Sequence, residues 1–169
     1  LCHVHNFAEA YIARMISIDE FKHCITSVAI FAALNEQELM AIYDVTRLEK
    51  FSKGKVLIRE GMANYSLYFL MSGRVEVSSY GVRVATVDTG SLLGEVSVAG
   101  VEVATADVVA VGAVSTLVIP IKVIREIAEQ NILFFEQLFQ KLQPEYGPHP
   151  LQQRSPYHDL QHELPQLQH

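Results

Sequence analysis

The chain is short of cysteine, of basic residues and of long apolar runs, and each shortage removes a class of function. Cys2 and Cys24 are the only cysteines in 169 residues. Two cysteines outside a CxxC spacing do not make a disulfide framework, so a reducing, cytoplasmic setting is expected. Lys and Arg number 13 against 19 Asp and Glu, a formal charge of −6, and no basic run breaks the balance. Phosphate neutralisation dominates nucleic-acid affinity, so nucleic acid is not an expected partner, and neither is an anionic membrane surface. The longest apolar stretch, "DVVAVGAVSTLVIPI", contains Gly112 and ends around Pro120. It is too short for a spanning helix and reads better as strands, so no membrane insertion is expected. A signal-peptide pattern is missing at the start. The first residue is Leu1 rather than Met, which suggests a processed product or a piece of a longer protein. Catalytic motifs are also missing: there is no Gly-x-Ser-x-Gly elbow, no HExxH and no P-loop. The reading is therefore not an enzyme, and no cofactor is expected.

What is present is a core. Half of the residues are apolar, enough for one domain with extra segments at its ends. Phe7, Tyr11, Met15, Ile18, Phe21 and Ile25 recur at helical steps, so residues 7–26 are expected to form an amphipathic helix. A second helix is signalled by "LNEQELMAIYDVTRLEKF", with Asn35 as cap, Glu38 completing a capping box, and Leu39, Ile42, Val45, Thr46 and Leu48 as the buried face.

After Phe51 the period turns from helical to alternating. "KVLIREG", "SLYFLMSG", "RVEVSSYG", "VRVATVDTG" and "TADVVAVG" are short runs rich in β-branched and aromatic residues, punctuated by glycines. Strands closed by Gly turns at such intervals predict an antiparallel barrel or double sheet. From Ile121 the helical period returns. Val123, Ile124, Ile127, Ile132, Phe135, Leu138, Phe139 and Leu142 make an apolar stripe, with Asn131 as a break and Pro144 as the stop. The Pro-, Gln- and His-rich segment beyond reads as an extended or poorly ordered tail. The expected fold is mainly β: an antiparallel, jelly-roll-like β-roll with helices at both ends.

Four segments in this order resemble the cyclic nucleotide-binding domain family, over about Val28 to Leu142. "VAIFAALNEQELMAI" is similar to its entry helix, and "FSKGKVLIREGMANYSLYFLMSGRVEV" to the first half of its roll. "DTGSLLGEVSVAG" resembles the lead-in to its phosphate cassette, and "STLVIPIKVIREIAEQN" its last strand and following helix. The resemblance implies a connector over 1–27, a binding domain over 28–143 and a tail over 144–169. It also implies a cassette of the form Gly-Glu-x-Ala/Ser, a loop, then Arg-x-Ala-Thr-Val. In such a cassette a short helix turns its backbone N–H groups toward the phosphate, the Glu accepts from a ribose hydroxyl, and the Arg pairs with the phosphate oxygens.

Carried over residue by residue, the ligand-binding candidates are Gly94, Glu95, Val96, Ser97, Ala104 and Thr105. Ala104 falls where the Arg should stand, the usual Pro before it is Val103, and Asp107 takes the place of Thr. Loss of an Arg–phosphate pair is worth roughly 1.5–3 kcal/mol, on the order of ten- to a hundredfold in affinity. Arg74 and Arg83 are candidate substitute cations, and a solvated strand position is the plainer reading of both. Arg59 reads as structural in its turn. Tyr65 and Tyr68 read as base-pocket or core residues, Phe69 as core and Tyr80 as an exposed turn residue. His158 and His162, spaced i, i+4, with His149 and His169 nearby, invite a metal reading. No cysteine or carboxylate frame supports it, and the same holds for His3 and His5.

Two functions are left open. One is a regulatory module binding cAMP or cGMP and moving its flanking helices against an output domain upstream or in a partner protein. The other is a degenerate domain, kept as an interaction or homodimerisation platform through Phe134, Phe135, Leu138 and Phe139.

Overall fold

The computed structural model describes residues 16–100 and 103–142. Of the helix expected over residues 7–26, the part from Phe7 to Met15 lies outside the described residues, as do the histidines of both termini and the side chain of Leu142; within the described residues the helix begins only at Ile18, because Ser17 is extended at ψ 158°. Helix α1 (Ile18–Thr26) is capped by Ser17, whose hydroxyl accepts from the Glu20 amide. A 3-10 turn (Ala29–Ala33) leads to α2 (Glu36–Val45). Asn35 opens α2 with the full capping box: its side chain accepts from the Glu38 N–H at 2.9 Å, and Glu38 accepts from the Asn35 N–H at 2.9 Å.

α2 is shorter than its sequence pattern suggests. Thr46 takes an extended ψ of 139°, and residues Arg47–Phe51 form strand β1, paired with Val114–Val118. Val45 is accordingly 47% exposed, not part of the buried face, while Thr46 is buried beyond the helix end and Leu48 sits half-buried on the strand. Helix ends where a long-range strand pairing outcompetes the weak helix preference of Val45 and Thr46.

Strands β2 (Val56–Ile58), β3 (Ser66–Ser72), β4 (Arg74–Ser79), β5 (Val82–Asp88), β6 (Leu92–Leu93), β7 (Asp107–Ala110) and β8 (Val114–Pro120) follow. They build two four-stranded sheets, β1-β8-β3-β6 and β2-β7-β4-β5, with every pairing antiparallel. This is the expected β-roll with flanking helices. One apolar cluster, with Leu57, Ile58, Leu70, Val75, Val108 and Val114, fills the space between the sheets. A second, with Leu67, Phe69, Leu117 and Ile119, joins the outer face of the first sheet to the helices. Strands β3 and β8 are therefore covered on both faces, which is why their sequences are nearly unbroken apolar runs. Phe69 is core and Tyr80 exposed, as expected. Cys24 is half-buried; burial, then the nearby Glu20 carboxylate, pushes its thiol above the ordinary value. No helix among the described residues is long and apolar enough to cross a membrane.

After β8 come α3 (Ile121–Gln130) and α4 (Ile132–Leu142). Asn131 breaks them apart with φ −120° and ψ 97°, and this resets the helical phase. Beyond the break, the single stripe expected from Val123 onward therefore holds only at Leu138 among the side chains described. Ile132, Phe135 and Phe139 are exposed, and Phe134 is buried in their place against Phe31, with ring centroids 6.0 Å apart. Asn131 Oδ1 accepts from the Phe134 N–H at 3.1 Å, while Nδ2 donates to both Glu38 carboxylate oxygens at 3.1 Å and to the Ala33 carbonyl at 3.4 Å. One side chain thus caps α4 and fastens it to the cap of α2. Asn131→Ala should cost roughly 1–3 kcal/mol in chemical denaturation. Asn131→Asp keeps the cap acceptor but sets a carboxylate against Glu38, and it should also fall below wild type. A wild-type midpoint for the Asp variant would show that only the cap matters.

Candidate functional site

Strand β6 delivers the chain to Gly94 at φ +86°, and Glu95–Ala99 then turn through a 3-10 helix that Gly100 closes at φ +94°. A Cβ on Gly94 would sit 2.7 Å from the Ser66 carbonyl oxygen and 2.9 Å from Asn64 Nδ2, so both conformation and close approach require glycine here. The turn is short and held from two sides. Asn64 Nδ2 donates to the Ser66 carbonyl at 2.9 Å and to Ser97 Oγ at 3.2 Å, while Ser97 itself is only 1% exposed. From the helical side, Arg125 of α3 donates through Nη2 to the Ser97 carbonyl at 2.5 Å, a charge-assisted bond.

Ala104 lies opposite, on the way into β7. Its N–H donates to the Met62 carbonyl and its carbonyl accepts from the Gly61 N–H, both at 2.8 Å. Its methyl is buried with the inter-sheet cluster. Asp107 does not line the cleft. Its carboxylate accepts from the Glu60 N–H at 2.8 Å, and Glu60 in turn accepts from Ser79 Oγ and the Tyr80 N–H. The "REG" turn is thus a brace for the β4–β5 turn.

These elements enclose a cleft of about 760 Å³. Gly94, Glu95, Val96, Ser97, Ala104 and Thr105 all line it, together with Ile58, Val77, Val84, Val87 and Val108 from the roll. Ser27, Val28 and Ala29 reach it from the N-terminal helical segment. Among the described residues, Glu95 is the one ionisable residue of the lining, and no Lys, Arg or His is part of it. Both candidate substitute cations are engaged elsewhere: Arg74 pairs with Asp88 at 2.6 Å and Arg83 with Glu76 at 3.6 Å. Arg59, Tyr65 and Tyr68 line a second, smaller groove that shares Ile58 and Asn64 with the first but does not include Gly94–Ser97. Tyr68 packs edge-on against Phe51 at 6.4 Å. Its hydroxyl is pushed above the ordinary value by burial first and the Glu49 carboxylate second, with Arg47 opposing. No group of three or more His, Cys, Asp or Glu side chains suited to a metal occurs among the described residues.

Residues 48–131 match the family model described as "Cyclic nucleotide-binding domain". The chain belongs to the cyclic nucleotide-binding domain family. It is 29% identical over 127 residues to human cGMP-dependent protein kinase 2, covering 71% of this chain and 16% of the kinase. Among solved structures it resembles the sensor domain of the transcriptional regulator DNR from Pseudomonas aeruginosa, with TM-score 0.68, 18% identity, and 74% and 87% of the two chains covered. It also resembles a putative cyclic nucleotide-binding protein from Geobacter metallireducens, with TM-score 0.63, 25% identity, and 75% and 92% covered. The chain spans 16% of the length of the curated kinases it matches. A cyclic nucleotide-binding domain is a regulatory module.

Sequence reasoning missed Asn64, Glu60 and Arg125. An Asn two residues before a strand is an Asx-turn signal, and Asn64 does accept from the Ser66 N–H at 3.3 Å. Arg125 carried no local signal, because its partner lies 28 residues away. Gly94→Ala combines a left-handed backbone with an overlap against backbone. It should cost roughly 2–4 kcal/mol by urea denaturation, and a loss below about 1 kcal/mol would mean that the Gly94 turn relaxes freely.

Proposed function

We propose that this chain is the ligand-sensing regulatory module of a larger protein, in which occupancy of the Gly94–Thr105 cleft is transmitted to α3 and α4. The observation that carries this reading is the Arg125–Ser97 bond. It ties the cassette turn, which lines the cleft, to the helix that follows the roll. A ligand pressing on the turn moves the Ser97 carbonyl, and Arg125 carries that movement to α3. The Asn131–Glu38 contact then links α4 to the N-terminal helical segment. The ligands that family membership supports are cAMP and cGMP, and the output is a domain or partner beyond this module, in the cytoplasm. The domain bounds 28–143 suit this role.

The test is hydrogen exchange across 121–142 with and without saturating ligand. Ligand should change protection there by severalfold, and Arg125→Ala should abolish the change at α3 while leaving ligand in the cleft. Saturation of the cleft with no change in α3 or α4 would sink the coupling.

A second reading is favoured by one feature of α4. Phe135 and Phe139 are 47% and 53% exposed, their rings stacked 6.2 Å apart and nearly parallel, with Ile132 and Leu133 also exposed. Such a patch supports self-association of two copies through α4; Phe134 and Leu138 are committed to the core. Sedimentation should give a dimer that Phe135→Ser with Phe139→Ser converts to monomer. A monomer at all concentrations for the unaltered chain rejects this reading.

A further inference from the structure

We infer that the second groove is a binding site for a small organic anion with a flat apolar body, its carboxylate or phosphate held by Arg59. Such a site is separate from the first cleft and does not depend on what occupies it. The groove encloses about 470 Å³, within the range of small-molecule sites. Its floor is apolar: Leu57 and Ile58 are buried, and Val56, Met62 and Ala63 extend it. Among the described residues Arg59 is the one Lys, Arg or His of the lining, and no Asp or Glu is part of it.

The turn that carries Arg59 is braced by its neighbour Glu60, which accepts from Ser79 and Tyr80, and by Asp107. The Arg59 side chain takes no part in that brace. It is exposed and makes no ion pair or side-chain hydrogen bond among the described residues, whereas Arg47, Arg74, Arg83 and Arg125 each have a partner. An open guanidinium presents a fork of N–H donors that a carboxylate or a phosphate fills bidentately. At an exposed position the ion pair alone gains little, so the apolar floor has to supply the rest, and this is what calls for a flat apolar body. Tyr65, 73% exposed, and the half-buried Tyr68 add rings that favour another ring beyond simple burial. Burial raises the Tyr68 phenol and keeps it an O–H donor at neutral pH. Glu49, whose charge also reaches Tyr68, is outside the lining and is paired with Arg47 at 3.3 Å. A cation would meet Arg59 with no carboxylate of the lining to offset it, and a neutral ligand would leave the guanidinium unused.

Titration of the whole chain with phenylacetate, phenyl phosphate, phenylacetamide and inorganic phosphate, followed by amide NMR, tests this. Phenylacetate or phenyl phosphate should shift the amides of residues 56–68, and the tighter of the two names the head group. The uncharged amide and inorganic phosphate should each bind at least about tenfold more weakly than that anion. Arg59→Gln should weaken the anion by about tenfold, and Arg59→Lys, which keeps the charge and loses the fork, should fall between. If Arg59→Gln loses its folded circular-dichroism signal, Tyr65→Ala, at another exposed position of the lining, should weaken the anion instead. The inference is overturned if neither anion shifts those amides at millimolar concentration, if phenylacetamide binds as tightly, or if the substituted chains bind the anion as the unaltered one does.

Discussion

A five-residue 3-10 turn cannot hold itself in place, and the bond from Arg125 to the Ser97 carbonyl is what lets this one serve as the floor of a cleft. Short 3-10 segments have poor internal hydrogen-bond geometry, so their position is borrowed from neighbours. Here the neighbours are Asn64, which reaches Ser97 from the start of β3, and Arg125, which reaches it from α3. The turn is thus suspended between roll and helices.

Charge placement decides what the cleft can accept. Three described arginines are engaged in bonds that build the domain: Arg74 and Arg83 staple β4 to β5, and Arg125 holds the turn. Asp107, the acidic residue that could have repelled a ligand, is instead turned to the Glu60 N–H. Among the described residues the lining combines the Glu95 carboxylate with a polar edge and an apolar wall.

The helices are joined to each other by a second small network. Asn131 joins the start of α4 to the Glu38 carboxylate, which already completes the cap of α2. Phe134 then drops into the space beside Phe31. Because the break at Asn131 rotates α4 relative to α3, the apolar residues one turn away are turned outward. The exposed Phe135–Phe139 pair follows directly from that rotation.

The β-roll, its glycine punctuation, the Asn35 cap and the Gly94-Glu95 turn were all legible in the sequence, because alternation, turn chemistry and capping are local. So was the absence of a cation at position 104, which needs only a count along the chain. Four things were decided by tertiary structure alone. Arg47–Phe51 became a strand because β8 was there to pair with it. α4 buried Phe134 because the Asn131 break reset its phase. Asp107 turned from the cleft because its partner lies 47 residues away. Finally, Arg74 and Arg83 found partners outside the cleft lining, and Arg125 found Ser97 within it. In each case the side chain's direction is set by a contact distant in sequence, and local periodicity carries no information about such contacts.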